Sequence, residues 1–133
     1  GPLRDRIDVQ LSIHPRHSVV RPEPGEESGA IRERVIAARD RARARWQAMG
    51  IEGAGANSSV PGPVLRRNAP ADDAGMAYLE CRLADRTVTQ RGVDRALRVA
   101  WTLADLGGRD RPTLEDVAAA CDLHAPTEGE VAA

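Results

Sequence analysis

The sequence contains no phenylalanine and no lysine, and it has only one tyrosine and two tryptophans among its 133 residues. A hydrophobic core must therefore be built from aliphatic side chains, and a hydrophobic content of 41% is enough for one small domain. All 19 basic residues are arginine, and against 20 acidic residues they leave a net charge of −1. The chain as a whole is therefore not attracted to nucleic acid or to a membrane surface.

Cysteine and histidine are too scattered for a disulfide framework or a metal site. Cys81 and Cys121 have no CxxC spacing, so we expect two reduced thiols in a cytoplasmic protein. His14 and His17 stand three residues apart in a segment that also contains proline, without the further ligands that a metal needs. No apolar run is long enough for a transmembrane helix or a signal peptide, so we expect no membrane contact.

No motif for catalysis is complete within the chain. A phosphate-binding loop of the form GxxxxGK[ST] is absent, because it requires the lysine that this sequence lacks. No serine or cysteine stands in an arrangement typical of a nucleophile with its base. We therefore do not expect this chain alone to hydrolyse ATP.

Hydrophobic periodicity predicts a mainly α-helical bundle preceded by a single strand. Apolar residues alternate from Ile7 to Ile13, which is typical of a half-buried strand. Steps of three and four predict helices over 30–49, 64–68, 72–86, 89–108 and 112–124. The inward face of the first is expected to hold Ile31, Val35, Ala38, Ala42 and Met49. We divide the chain into a segment 1–14, a linker 15–29, a helical domain 30–124 with a mobile loop near 50–63, and a disordered tail 125–133.

The first predicted helix is rich in arginine, and two interpretations are open. Its arginines are Arg32, Arg34, Arg39, Arg41, Arg43 and Arg45. They outnumber the acidic residues among them by four charges and could neutralise the phosphates of DNA. They could equally form the solvated side of an amphipathic helix, since no aromatic residues are interleaved for base stacking.

The fourth predicted helix carries a second arginine row. Arg91, Arg95 and Arg98 are spaced by four and three residues, so they project from one face. One interpretation is a solvated face in which Asp94 pairs with Arg98. Trp101 lies at the edge of the apolar side and is expected either to pack in the core or to contact another subunit.

Two segments resemble the ATPase subunit of magnesium chelatase and the related AAA+ ATPases, which include the ComM/YifB proteins. GPLRDRID at the start is similar to the GPL-x-DRID segment of that family. RALRVAWTLADL in the fourth helix is similar to its R-x-LRVARTIADL helix. The chain departs from the family pattern at Arg4, which replaces an apolar residue, and at Trp101, which replaces an arginine.

The resemblance implies that the chain is the C-terminal lid of such an ATPase, preceded by the last strand of its N-terminal core. Arg6 then has the role of an arginine finger, which acts on the ATP of a neighbouring subunit. Arg91 has the sensor-2 role of contacting the ATP γ-phosphate, and Arg95 is the next residue expected to do so. ATP and Mg²⁺ are implied as cofactors of the full-length protein, in a homo-oligomeric ring of six subunits.

The resemblance leaves two substrates open for the implied motor, each known from a different member of the family. Remodelling of DNA in the manner of ComM is the first, and insertion of a metal into a porphyrin is the second. A hypothesis of another class is a non-enzymatic helical interaction module. That module would tolerate loss of Arg6 and of Arg91, whereas the motor would not.

Overall fold

A computed structural model describes residues 6–12 and 25–124. Its helices are α1 (Ser28–Ala48), α2 (Gly62–Asn68), α3 (Asp73–Ala84), α4 (Gln90–Gly107) and α5 (Leu114–His124). A single 3-10 turn, Asn57–Ser59, lies between α1 and α2. The prediction of a mainly α-helical bundle is confirmed. Arg4, Ile13, His14, His17, most of the predicted linker and the tail 125–133 lie outside the described residues.

α4 is the central helix, against which α1, α2 and α5 pack. The apolar positions recur every three or four residues and are buried: Val93, Leu97, Ala100 and Ala104. At its start, the Thr89 hydroxyl accepts a hydrogen bond from the Gly92 amide at 3.0 Å. At its end, Gly108 has a φ of 70°, a left-handed conformation that glycine adopts without strain. These two signals explain why the sequence predicts the bounds of α4 well.

α3 and α5 pack against each other and complete the bundle around α4. Asp72 caps α3, because its Oδ1 accepts a hydrogen bond from the Gly75 amide at 2.7 Å. Asp116 accepts a hydrogen bond from the Thr113 amide at 3.0 Å, and the Thr113 hydroxyl accepts one from the Asp116 amide at 3.4 Å. This reciprocal pair is a capping box at the start of α5.

The buried face of α1 differs from the prediction. Ala38, Ala42 and Trp46 are its buried residues, whereas Ile31 and Met49 are 40% and 43% exposed. The sequence pattern is misleading at Ile31 because the buried residues of α1 lie in its C-terminal half. It is misleading at Met49 because this residue lies beyond the last helical residue, at the C-cap position. The N-cap position of α1 is Glu27, no side chain caps the helix, and Ser28 is its first helical residue.

The predicted strand is not formed in residues 6–12. Ile7, Val9 and Leu11 are exposed, as expected for an apolar alternation without a sheet to join. Two hydrogen bonds instead attach the segment to the end of α5. The Gln10 amide donates to the Leu123 carbonyl at 2.6 Å, and Nδ1 of His124 lies 2.8 Å from the Ile7 carbonyl oxygen.

A buried polar cluster joins α1, α4 and the loop between α1 and α2. Arg45 donates two hydrogen bonds of 2.7 Å to the Asp105 carboxylate. Asn57 accepts from Nε1 of Trp46 at 3.0 Å and donates to Asp105 at 3.0 Å. The guanidinium of Arg45 also lies 3.9 Å from the ring centroid of Trp101, a cation–π contact. The part of the loop around Asn57 is therefore anchored to two helices.

Trp101 packs in the core, which is the first of the two alternatives expected for this residue. Its ring is buried and lies 5.8 Å from that of Trp46 in an edge-to-face arrangement. Its Nε1 donates to the Ala69 carbonyl at 2.8 Å, so the one polar atom of the indole is satisfied. With no phenylalanine in the chain, these two tryptophans supply the largest buried surfaces of the bundle.

Candidate anion-binding site

Arginines from distant parts of the sequence line one open cavity of about 600 Å³ beside the first turns of α4. α4 contributes three of them because the spacing of four and three places them on one face. Residues 6–12, attached to the end of α5, contribute Arg6. The complete lining is Arg6, Asp8, Ser58, Arg91, Asp94, Arg95 and Arg98. We call it the arginine cavity.

Arg6 and Arg91 are the exposed arginines that line the arginine cavity. Both residues are exposed, and neither makes a hydrogen bond or ion pair with another residue in 6–12 or 25–124. A guanidinium remains charged at any physiological pH and offers five N–H donors. No residue in the described part of the chain occupies these donors, so they are available to a ligand.

Arg95 is held differently, because only 9% of the residue is exposed. It has interactions of its own, and its guanidinium passes close to the helix backbone at Gly92. A Cβ at Gly92 would lie 3.3 Å from Nη2 of Arg95 and 2.8 Å from Cγ1 of Val88. Glycine at this position therefore gives the Arg95 side chain room to lie along the first turn of α4.

Arg98 and Asp94 both have partners from the loop and α2. Arg98 donates from Nε and Nη2 to the Val60 carbonyl, at 3.1 and 3.0 Å. Asp94 forms an ion pair with Arg66. The solvated-face interpretation is therefore wrong in predicting an Asp94–Arg98 pair.

The arginine cavity has an excess of positive charge. Four guanidinium groups face two carboxylates, and the carboxylate of Asp94 is already neutralised by Arg66. The N-terminus of α4 adds its helix dipole and the amides of its first turn. Guanidinium groups with few acidic partners favour an anion with several oxygens, such as a phosphate.

Sequence reasoning missed Ser58, Asp8 and the carbonyl contact of Arg98. Ser58 and Val60 stand in a loop without periodicity, and their position depends on the anchoring of Asn57 in the buried cluster. No local pattern carries such information. The only available signal was the combination of a serine with flanking glycine and proline, which marks a loop without saying what it approaches.

A smaller cavity of about 230 Å³ lies on the other side of the first turn of α4. Its lining includes Arg95, Arg82, Thr89, Cys121 and His124. Burial raises the pKa of the Cys121 thiol above its ordinary value, so this cysteine is less reactive than an exposed one. Cys81, by contrast, is exposed.

Metal ligands and membrane-spanning helices were also sought in residues 6–12 and 25–124. No group of three or more His, Cys, Asp or Glu side chains there is arranged to hold a metal ion. No helix there combines the length and the apolar character needed to cross a membrane.

Comparison with known proteins identifies relatives that are much longer than this chain. An uncharacterized protein of Mycobacterium tuberculosis, Rv2897c, is 42% identical over 121 residues, which are 90% of this chain and 24% of the relative. Mb2921c of Mycobacterium bovis has the same identity and coverage. The YifB protein of Escherichia coli is 30% identical over 113 residues, or 83% of this chain and 21% of YifB. No solved structure matches significantly.

The region common to these relatives corresponds to a defined family. The family described as "Magnesium chelatase, subunit ChlI C-terminal" matches residues 25–124, which include every helix of the bundle. The match includes Arg91 and Arg95 but begins after Arg6. Since the match extends over most of the chain, the protein belongs to the magnesium chelatase ChlI C-terminal family, with a C-terminal region like that of YifB.

Proposed function

We propose that the chain is the lid of a magnesium-chelatase-type AAA+ ATPase, which couples ATP hydrolysis at subunit interfaces to the remodelling of DNA. The relatives are about four times as long, so the lid would act together with an N-terminal core in the same protein. That core would supply the phosphate-binding loop, which this sequence does not contain, and the ligands of Mg²⁺. Six such subunits would form the ring.

The observation that carries the proposal is the shared lining of the arginine cavity by Arg6, Arg91 and Arg95. The resemblance assigns these three residues to ATP, although they lie far apart in the sequence. In phosphoryl transfer, negative charge is spread over the oxygens of the transferred phosphoryl group, and fixed guanidinium donors stabilise that charge. A cavity with excess positive charge suits this task.

The three arginines are proposed to have different roles. Arg6 is the arginine finger and stabilises the transferred phosphoryl group. Arg91, which is exposed beside it, contacts the γ-phosphate and makes the position of the lid depend on the nucleotide. Arg95 is largely buried although it lines the cavity, so it supports the first turn of α4, where its guanidinium lies close to Gly92. Because Arg6 and Arg91 face one cavity, we propose that both contact the same ATP.

The test is ATP hydrolysis by the full-length protein, compared with its Arg6→Ala and Arg91→Ala variants, with nucleotide binding measured in each. We expect the Arg6→Ala variant to lose about a thousandfold in turnover while it still binds ATP, because a finger stabilises the transition state. Arg67→Ala is the matched control, since Arg67 is exposed on α2 outside the cavity. Unchanged turnover in both site variants would instead favour the non-enzymatic interaction module.

A second candidate function is metal insertion into a porphyrin, and the description of the matching family favours it. The two functions differ in what stimulates hydrolysis. DNA should raise the ATPase rate of a DNA-remodelling motor. A porphyrin together with Mg²⁺ should raise that of a chelatase subunit only once its partner subunits are added. Stimulation by DNA alone would exclude the second function.

A further inference from the structure

The six arginines of α1 form two rows along the helix, each with a spacing of seven and then four residues. Since each residue turns the helix by 100°, a row occupies an arc of about 40°, and the two rows flank the buried face on opposite sides. The partnered row consists of Arg34, Arg41 and Arg45. The open row consists of Arg32, Arg39 and Arg43.

Every arginine of the partnered row has a structural contact. Arg34 donates to the Glu26 carboxylate at 2.7 and 3.1 Å. Arg41 donates to the backbone carbonyl of Asp105, and Arg45 forms the buried ion pair with the same residue. Arg41 and Arg45 therefore fasten α1 to α4, and Arg34 is occupied by its exposed ion pair with Glu26.

The open row makes few contacts within the described residues. Arg32 and Arg39 form no hydrogen bond or ion pair there, and Arg43 has only an exposed contact of 3.3 Å with Asp40. From Arg32 to Arg43 the row extends for about 16 Å along the helix axis. It therefore offers three guanidinium groups in a line, of which two have no competing carboxylate.

Two open cavities lie beside α1 and reach the loop that follows it, with volumes of about 280 and 540 Å³. Arg39 lines the first, together with the ion-paired Asp105 and several apolar residues, and Arg43 lines the second. Glu52 is the acidic residue that lines the second cavity. Residues 28–34 at the start of α1 are all exposed, so a long ligand can approach the row from its N-terminal end.

We propose that the open row is a binding surface for the phosphate backbone of nucleic acid. A strand carries its charges in a line, one for each nucleotide, which matches a row of exposed guanidinium groups along a helix. A flat anionic membrane fits less well, because Glu33 and Asp40 lie on the outward face of α1 and would meet the lipid headgroups. The inference rests on the proposed DNA-directed function for the choice of polyanion, but it uses none of the residues of the arginine cavity.

The test measures how the affinity of the full-length protein for a 20-nucleotide single strand and for a 20-base-pair duplex depends on salt. The variant is Arg32→Gln with Arg39→Gln, and the control is Arg67→Gln with Arg86→Gln, which removes the same charge from exposed positions elsewhere. Loss of two phosphate contacts should reduce the slope of log K against log salt by about 1.4 for the single strand and about 1.8 for the duplex. The control should leave both slopes unchanged.

Each outcome of this test has a definite meaning. Equal slopes for variant and control would overturn the proposal, as would a variant that loses affinity for anionic phospholipid vesicles while its affinity for both oligonucleotides is unchanged. ATP hydrolysis without DNA should be the same in variant and control, because neither pair touches the arginine cavity. Suppose that Arg6→Ala leaves ATP hydrolysis unchanged while the open-row variant shows the reduced slope of log K against log salt. The ATPase assignment is then wrong, and the nucleic-acid surface is supported.

Discussion

The cluster around Asp105 shows at the level of single residues how a bundle with few aromatic side chains gains rigidity. The Asp105 side chain is only 2% exposed, and it accepts hydrogen bonds from Arg45 and Asn57. A charge taken out of water is stable only when its partners are complete. Every contact of this carboxylate joins α4 either to α1 or to the loop before α2. The cluster therefore determines where Ser58 and Val60 lie beside the arginine cavity.

Replacing Asp105 by alanine should therefore destabilise the protein strongly. The substitution leaves the guanidinium of Arg45, whose side chain is 14% exposed, without its partner. Removing one member of a buried pair costs about 3–5 kcal/mol. Urea unfolding measures this loss. The control is Asp40→Ala, which removes an exposed pair with Arg43 and should cost less than about 1 kcal/mol. Equal losses in the two variants would contradict the role given to the cluster.

α1 and α4 differ in how far the sequence determines their packing. α4 has an apolar side that is buried along its length, and both of its ends carry signals that the chain itself provides. α1 has no capping side chain, and only part of its apolar row is covered. The position of Arg91 depends on α4, because the residue stands in the first turn, two residues after the cap at Thr89. The start of α4 is therefore the element on which the arginine cavity depends.

Thr89→Ala should loosen the first turn of α4 and weaken ligand binding at Arg91. The substitution removes the hydroxyl that accepts a hydrogen bond from the Gly92 amide, which lowers the stability of the protein by about 1 kcal/mol. Thr89→Ser keeps the hydroxyl and is the matched control. Hydrogen exchange at the amides of residues 90–93 should become faster in the alanine variant and stay unchanged in the serine variant. The same exchange rates in both variants would mean that the cap does not hold this turn.

At the scale of the whole molecule, the sequence predicts the helices and two parts of the site, but not the distances between them. Arg91 and Arg95 can be placed together because they share a helix face. Their approach to Arg6 depends on the hydrogen bonds of Ile7 and Gln10 with the end of α5, which no periodicity encodes. The strand over 7–13 was predicted from an alternation that needs a neighbouring strand, and residues 6–12 have none. The residue pattern within one helix can thus be predicted from the sequence, whereas contacts between distant segments cannot.

An anion in the arginine cavity should stabilise the whole bundle, because the cavity is formed by α4, the loop at Ser58 and residues 6–12 together. A ligand that binds only the folded state adds RT ln(1 + [L]/Kd), which is about 1.4 kcal/mol at a concentration ten times Kd. We therefore expect inorganic phosphate to raise the Tm of the protein more than sodium chloride of equal ionic strength. Thermal unfolding with increasing phosphate measures the effect.

Phosphate also stabilises proteins in general, because it is excluded from their surfaces, so the rise in Tm alone does not identify a site. The site-specific part is the difference between Arg91→Ala and Arg67→Ala. Both variants lose one exposed arginine, but only Arg91 lines the cavity. The Arg67→Ala protein should keep the full response to phosphate, and the Arg91→Ala protein only the general part. If the two variants respond alike, the arginine cavity does not bind phosphate, whatever the ATPase measurements show.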